Sequence, residues 1–532
     1  MKRRGFIGLS AALGAAAGLG VASTATSATH ASAAMDELLD AGVAEQQAAM
    51  AAGKLTSRAL VSRYLARIKA IDKAGPRVNA IIELNPDALK IAAELDRERK
   101  AGKLRGPLHG IPVLIKDNIA TGDRMCTTAG SLALDGVCAK KDAFVAAQLR
   151  KAGAVILGKT NLSEWANMRS TRSTSGWSGR GGLTCNPYAL DRNTSGSSSG
   201  SGAAIAAALA TLAVGTETDG SIVSPASTCG IVGIKPTLGL VSRSGIIPIA
   251  HSQDTDGPMT RSVADAAALL TALAGVDASD AATAAGDGKF ADYTGALDRQ
   301  ALKGKRLGVV REFFGRNPDV TDVIERELAV LKAQGAELVE VKIPNNGKYD
   351  DSELEVLLSE FKPDLEGYLA EYAPHAAVKS MADIIAFNEK NAALELQYFG
   401  QEHLIAAQAK PGLQDKTYRD ALENDLRYSR AEGIDLVMQE QRLDALVAPT
   451  GGPAWLTDFI NGDHYGGSFS TPAAVAGYPH VTVPAGYVRG LPVGLSFVGG
   501  AWSEAALIGM AYAYEQATRH RKPPAFPASV KA

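Results

Sequence analysis

The sequence predicts one large α/β domain, and three observations predict it. Short apolar runs rich in β-branched residues recur along the chain, each the length of a buried strand. Helical patterns alternate with them, the order of elements expected of an α/β layer. No internal repeat and no low-complexity linker divides the blocks. The soft prior of about three or four domains for a chain of 532 residues therefore contracts to one.

Each element has its own reason. Residues 35–105 read as helical, with Leu60, Tyr64, Leu65 and Ile68 on one face. Residues 111–115, Ile-Pro-Val-Leu-Ile, read as a buried strand. A helix from Asp142 to Lys151, ended by Gly153, leads into a strand over 154–157. The Ala-rich run 203–214 is too short to span a bilayer and reads as a core helix. Strands follow at 307–310 and 338–343. Ser352 and Glu355 have capping-box spacing, and Leu354, Leu358, Phe361 and Leu365 continue at helical spacing. Residues 350–440 therefore read as a helical insertion, with strands resuming at 445–448, 481–483 and 493–497.

Composition excludes several classes. Hydrophobic residues are 46% and charged residues 21%, values that exclude bulk disorder and a multi-span membrane protein. Lys plus Arg (55) nearly balances Asp plus Glu (57), so there is no electrostatic footprint for nucleic acid. Residues 1–33 read as a twin-arginine export signal: Lys2, Arg3 and Arg4 precede Phe6, an Ala/Gly stretch follows, and Ala31-Ser32-Ala33 forms a cleavage site. The expected mature chain, 34–532, is periplasmic or extracellular, with no stable membrane insertion. Cys126, Cys138, Cys185 and Cys229 form no Cys-x-x-Cys. They read as small buried residues; Cys126 and Cys138 are the closest pair, and sequence leaves pairing and oligomeric state open. The eight histidines show no metal-ligand spacing, so neither metal nor cofactor is expected.

Glycine is in excess, 55 residues or about 10% against the usual ~7%, and its densest stretch is 195–202, Ser-Gly-Ser-Ser-Ser-Gly-Ser-Gly. A linker is disfavoured because an apolar run follows directly. A phosphate loop lacks its lysine. Residues 196–200 match the Gly-x-Ser-x-Gly nucleophile elbow around Ser198, but that elbow must follow a buried strand, and residues 190–194 are a polar loop.

A third reading joins separated segments. They are residues 106–118, ending Lys116-Asp117-Asn118; the Gly/Ser stretch; and 215–222, Gly-Thr-Glu-Thr-Asp-Gly-Ser-Ile, running into 229–237. With 254–261 and 492–495 they resemble the amidase signature family over roughly residues 40–520. Residues 161–167 and 175–182 are most similar to its peptide amidase branch. The resemblance implies an amidase signature fold, a large mixed β-sheet covered by helices on both faces. It also implies a Ser-cisSer-Lys triad with Ser221 as nucleophile and Lys116 as base. Counting back from Ser221 places the bridging serine at Ser197, with Ser198 one residue away. Backbone N–H groups of Thr218, Asp219, Gly220 and Ser221 are the implied oxyanion donors.

The residue types suit amide hydrolysis. An amide has a poor leaving group and needs an activated nucleophile and a proton donor. Lysine acts as a base only when neutral, which requires burial away from acids. Lys116 ends an apolar strand, and strand alternation points Asp117 to the other face. Two departures from the family pattern matter. Asp219 replaces a small residue, and Val223 and Ser224 stand where many relatives carry an arginine. Without that guanidinium the site suits a neutral ligand such as a peptide carboxamide. Trp177 is a candidate pocket wall, Asp254 and Arg261 a candidate ion pair, His109 a satisfied loop residue, and His251 and His464 candidate pocket residues. The leading expectation is an exported amidase acting on a small-molecule or peptide carboxamide. The alternatives are a broad aryl or alkyl amidase-esterase, an α/β-hydrolase using Ser198 and a histidine, and a non-hydrolytic binding protein.

Overall fold

A computed structural model describes residues 38–530; the predicted export signal lies outside them. The strands in chain order are β1 (Ile81–Leu84), β2 (Pro112–Lys116), β3 (Val155–Thr160), β4 (Trp177–Ser178), β5 (Gly182–Leu183), β6 (Leu212–Glu217) and β7 (Val232–Lys235). They continue with β8 (Thr255–Thr260), β9 (Arg306–Val310), β10 (Glu337–Val341), β11 (Ala445–Pro449), β12 (His480–Val488) and β13 (Leu491–Val498). Eleven of them form one sheet in the order β1-β3-β2-β6-β8-β7-β12-β13-β11-β9-β10, while β4 and β5 pair separately.

The sheet is mixed. β2 runs parallel to both β3 and β6, and β9 runs parallel to both β10 and β11. The remaining pairs are antiparallel, including the long β12–β13 hairpin. Every residue of β2, β3, β6, β7, β8, β11 and β13 is buried, so both faces of the sheet are covered. This is why the strands read as continuous apolar runs. Burying a side chain such as Ile115 contributes about 1.5–3 kcal/mol, and the core extends from Leu39 to Tyr514. Among the described residues no helix is long and apolar enough to cross a membrane.

Three sequence expectations need correction. The 35–105 segment holds helices Val43–Ala51, Ser57–Arg67 and Ala88–Lys100, but also β1, a four-residue edge strand held by antiparallel pairing to β3. The 203–214 run is not one helix. The helix Ser199–Ala206 stops, Ala208 turns with φ +52°, and Leu212 onward is β6. The helix Asp350–Tyr372 begins before Ser352, so no capping box forms there. Ser352 Oγ donates to the Tyr349 carbonyl at 3.0 Å, and Glu355 accepts from Ser359 instead. Asp350, Asp351 and Glu353 favour that helix start through the helix dipole.

Candidate active site

The parallel register of β2 and β6, with Ile115 opposite Val214, brings the carboxyl ends of both strands to one edge. Crevices at such ends are where α/β sheets bind ligands. Lys116 is the last residue of β2 and is fully buried. Its Nζ donates to Ser197 Oγ at 2.7 Å, to Thr216 Oγ1 at 2.8 Å and to the Thr216 carbonyl at 3.2 Å. Desolvation lowers its pKa from 10.5 to about 7, although Asp254 and Glu217 pull upward. Asp117 points away from it, toward Thr128 and Arg180, as strand alternation requires.

The Gly/Ser stretch folds over this lysine. The Gly196–Ser197 peptide is cis. Ser197 is the serine that meets Lys116, whereas Ser198 Oγ donates to the Thr216 carbonyl at 3.0 Å and accepts from the Thr216 N–H at 3.2 Å. Ser198 therefore stitches the helix start to β6. Gly196 is required by close approach: a Cβ there would lie 2.2 Å from Ser163 Oγ and 3.1 Å from Ser175. The Ser198 N–H donates to the Ser221 carbonyl at 3.1 Å, which ties the two serine loops together.

Ser221 opens the turn after β6 and is 7% exposed. Glu217 organises the turn by accepting from the Ile222 and Val223 N–H groups at 2.7 and 3.0 Å. The N–H groups of Asp219, Gly220 and Ser221 meet no protein acceptor among the described residues. Such free donors can receive a developing oxyanion. Gly220 adopts φ +76°, and a Cβ there would lie 2.9 Å from Ser224 Oγ. Asp219 Oδ2 accepts from Thr471 Oγ1 at 2.6 Å, while its Oδ1 is buried without a partner. Burial raises its pKa.

Other predicted residues fall differently. Asp254 and Arg261 do not pair. Asp254 accepts from Thr218 Oγ1 at 2.5 Å and from two backbone N–H groups, and burial raises its pKa to about 6. Arg261 binds the Ala210 and Ala41 carbonyls, remote from that loop. His109 is a satisfied loop residue, with Nε2 2.9 Å from the Leu95 carbonyl. His251 borders a cavity, whereas His464 is exposed beside Asp458. His251, Glu360 and Asp364 also come within ligand distance of one another, a cluster with no linear spacing pattern. Trp177 is buried, edge-on to Tyr398 and Phe399. All four cysteines are free thiols, although Cys126 and Cys138 face each other across a β-bridge.

The sequence missed three contributors. Thr216 anchors Lys116, and Asn118 Nδ2 donates to Thr216 Oγ1 at 3.0 Å. Arg169 lies fully buried between Glu164 (2.5 Å) and Glu395 (3.6 Å) and over the Phe399 ring at 4.1 Å. It fastens the 164–179 loop to the helical insertion. The first two were within reach, since both lie within two residues of a flagged motif position; the third depends on contacts across more than two hundred residues.

The family model described as Amidase matches residues 59–508. The chain belongs to the amidase family. A probable amidase of Arabidopsis thaliana is 43% identical over 484 residues, 89% of each chain. The native peptide amidase from Stenotrophomonas maltophilia is 55% identical, with a TM-score of 0.88 over 91% of this chain and 98% of that one. An amidase family protein from Bacillus anthracis is 39% identical, with a TM-score of 0.84 over 92% and 93%. This amidase is thus a hydrolase of amide C–N bonds with the amidase signature fold, closely similar in structure to peptide amidase.

Proposed function

We propose that this amidase is exported and converts C-terminal peptide amides to the acid and ammonia through an acyl-enzyme. The observation that carries the reading is the buried Lys116, its amine 2.7 Å from Ser197 Oγ and held near neutrality by desolvation. In this scheme neutral Lys116 takes a proton from Ser197, and Ser197 takes one from Ser221. Ser221 Oγ attacks the carbonyl carbon. The oxyanion is met by the N–H groups of the 218–221 loop, donors often worth about 2.7–4 kcal/mol each. The C–N bond breaks as the proton returns through Ser197 to the nitrogen, and water then cleaves the ester.

A rim beside Ser175 supports a peptide as the acyl half. Tyr465 approaches Ser175 Oγ at 3.3 Å and packs on Trp455, and Tyr398 stacks on Phe459 at 4.0 Å. Ile460 beside them is 82% exposed. An open aromatic rim suits a chain that must continue into solvent. The likeness to peptide amidase supports the same reading. The test is a panel of amidated peptides against small aryl amides, with ammonia and acid as readouts. Preference for the peptides is expected; turnover of aryl amides alone would reject the proposal. N-terminal sequencing of exported material should begin near Ala34, and Met1 would refute export.

A further inference from the structure

Cys126 and Cys138 stand opposite each other in an antiparallel β-bridge. The Thr127 N–H donates to the Val137 carbonyl at 3.3 Å, on the loop side of that bridge. A bond between those two neighbours makes Cys126 and Cys138 a non-hydrogen-bonded pair. In such pairs the Cα atoms are about 4.5 Å apart and the side chains are drawn together. A disulfide needs Cα atoms roughly 4.4–6.8 Å apart, so this stretch of backbone already meets its geometry.

The pairing is specific. Among the described residues this is the one β-bridge that sets two cysteines opposite each other. Cys138 is part-exposed, within reach of a reagent, while burial pushes the Cys126 thiol up to about 11. Cys138 therefore reacts first and Cys126 second. Cys229 is fully buried, and its thiol is pushed up to about 12, which leaves it inert.

We infer that Cys126 and Cys138 close a disulfide once the folded chain meets an oxidising disulfide, and that this bond braces the loop behind the Lys116 strand. The inference takes its oxidant from the export proposed above, since disulfides persist outside the cytosol. The step balances. The Cys138 thiolate attacks one sulfur of the donor disulfide, and the donor's other sulfur leaves. The Cys126 sulfur then displaces the first donor sulfur from Cys138. One S–S bond forms in the chain and one breaks in the donor, which takes up two electrons and the two thiol protons.

The closed ring spans residues 126–138. Within it the Thr128 and Ala129 N–H groups both donate to the Asp117 carbonyl at 3.0 Å, directly after Lys116. Thr127 Oγ1 accepts from Lys159 Nζ at 2.9 Å, and the Leu132 N–H donates to Glu395 at 2.7 Å. The ring thus ties the end of β2 to β3 and to the helical insertion. A cross-link there restricts the unfolded chain and resists local opening of those contacts.

The test uses the full protein, reduced and then equilibrated with glutathione and glutathione disulfide. Non-reducing peptide mapping should find Cys126 linked to Cys138, with Cys185 and Cys229 open to alkylation after unfolding. Exported protein should carry the same link without treatment. The linked form should melt several degrees above the reduced form, and added reductant should leave the melt of Cys126→Ala/Cys138→Ala unmoved. A glutathione adduct that persists on Cys138, or a link through Cys185 or Cys229, would overturn the inference. So would equal melting of linked and reduced wild type, or exported protein that begins near Ala34 with both thiols free. Protein that keeps Met1 yet forms the link in glutathione would strike the export reading and leave the pair standing.

Discussion

Lys116 Nζ lies 2.7 Å from Ser197 Oγ with no solvent access to the amine, and that one contact couples burial to basicity. Desolvation outweighs the pull of Asp254 and Glu217 and leaves the pKa at about 7. The proposed base is therefore protonated below that pH. We expect kcat/KM to rise tenfold per pH unit below about 7 and to level off above it. Asp254→Asn removes the larger of the two charges that favour the ammonium. It should move this limb to lower pH, as a pH–rate profile of both enzymes would register; a limb moved upward would contradict the assignment.

The same shift has a stability consequence. The Lys116 pKa is about 7 in the folded chain against an ordinary 10.5. Between these values the unfolded chain binds the proton and the folded chain does not, so stability from this group falls as pH drops through that window. Lys116→Met should therefore melt higher than wild type at pH ~6, by several degrees, with the gap closing toward pH ~10. Thermal melts at the two pH values check it, and a variant less stable at the lower pH would count against a buried, near-neutral amine.

Gly220→Ala introduces a side chain where φ is +76° and Ser224 Oγ would be 2.9 Å away. The loop must shift, and its N–H groups with it. A fall in kcat of about 10²–10³ is expected, the scale of losing one oxyanion donor, with KM changed far less. Steady-state kinetics on an amidated peptide would show it.

Arg169 is shared by Glu164 and Glu395 at full burial. Arg169→Met leaves two buried carboxyls facing each other and should destabilise the fold by about 3–5 kcal/mol in urea unfolding. Removing the whole cluster, with Glu164→Gln and Glu395→Gln added, should recover part of that loss.

The sequence was most legible where burial is two-sided. β2, β3, β6, β11 and β13 carry uninterrupted apolar runs, because both faces of the sheet are covered. β1 was missed because four residues at a sheet edge, between helices, carry too little period to separate strand from helix. The 203–214 run misled for a related reason. Alanine packs equally well in the helix Ser199–Ala206 and beside the turn at Ala208, so composition hides the break. Lys116, Ser197 and Ser221 stand out through motif resemblance, and the Lys116–Ser197 contact follows from strand register that no local pattern encodes. Asp254 stands out in the sequence, but its partner is Thr218 and not Arg261. Thr218 lies thirty-six positions away in sequence, while Arg261 is near in sequence and far in space.

One measurement tests most directly whether Lys116 is the base that serves Ser197. That measurement is kcat/KM of folded Lys116→Ala on an amidated peptide, with circular dichroism confirming the fold. Loss of at least a thousandfold is predicted, with His251→Ala retaining more than half of wild-type activity. Lys116→Ala activity within tenfold of wild type would contradict the account.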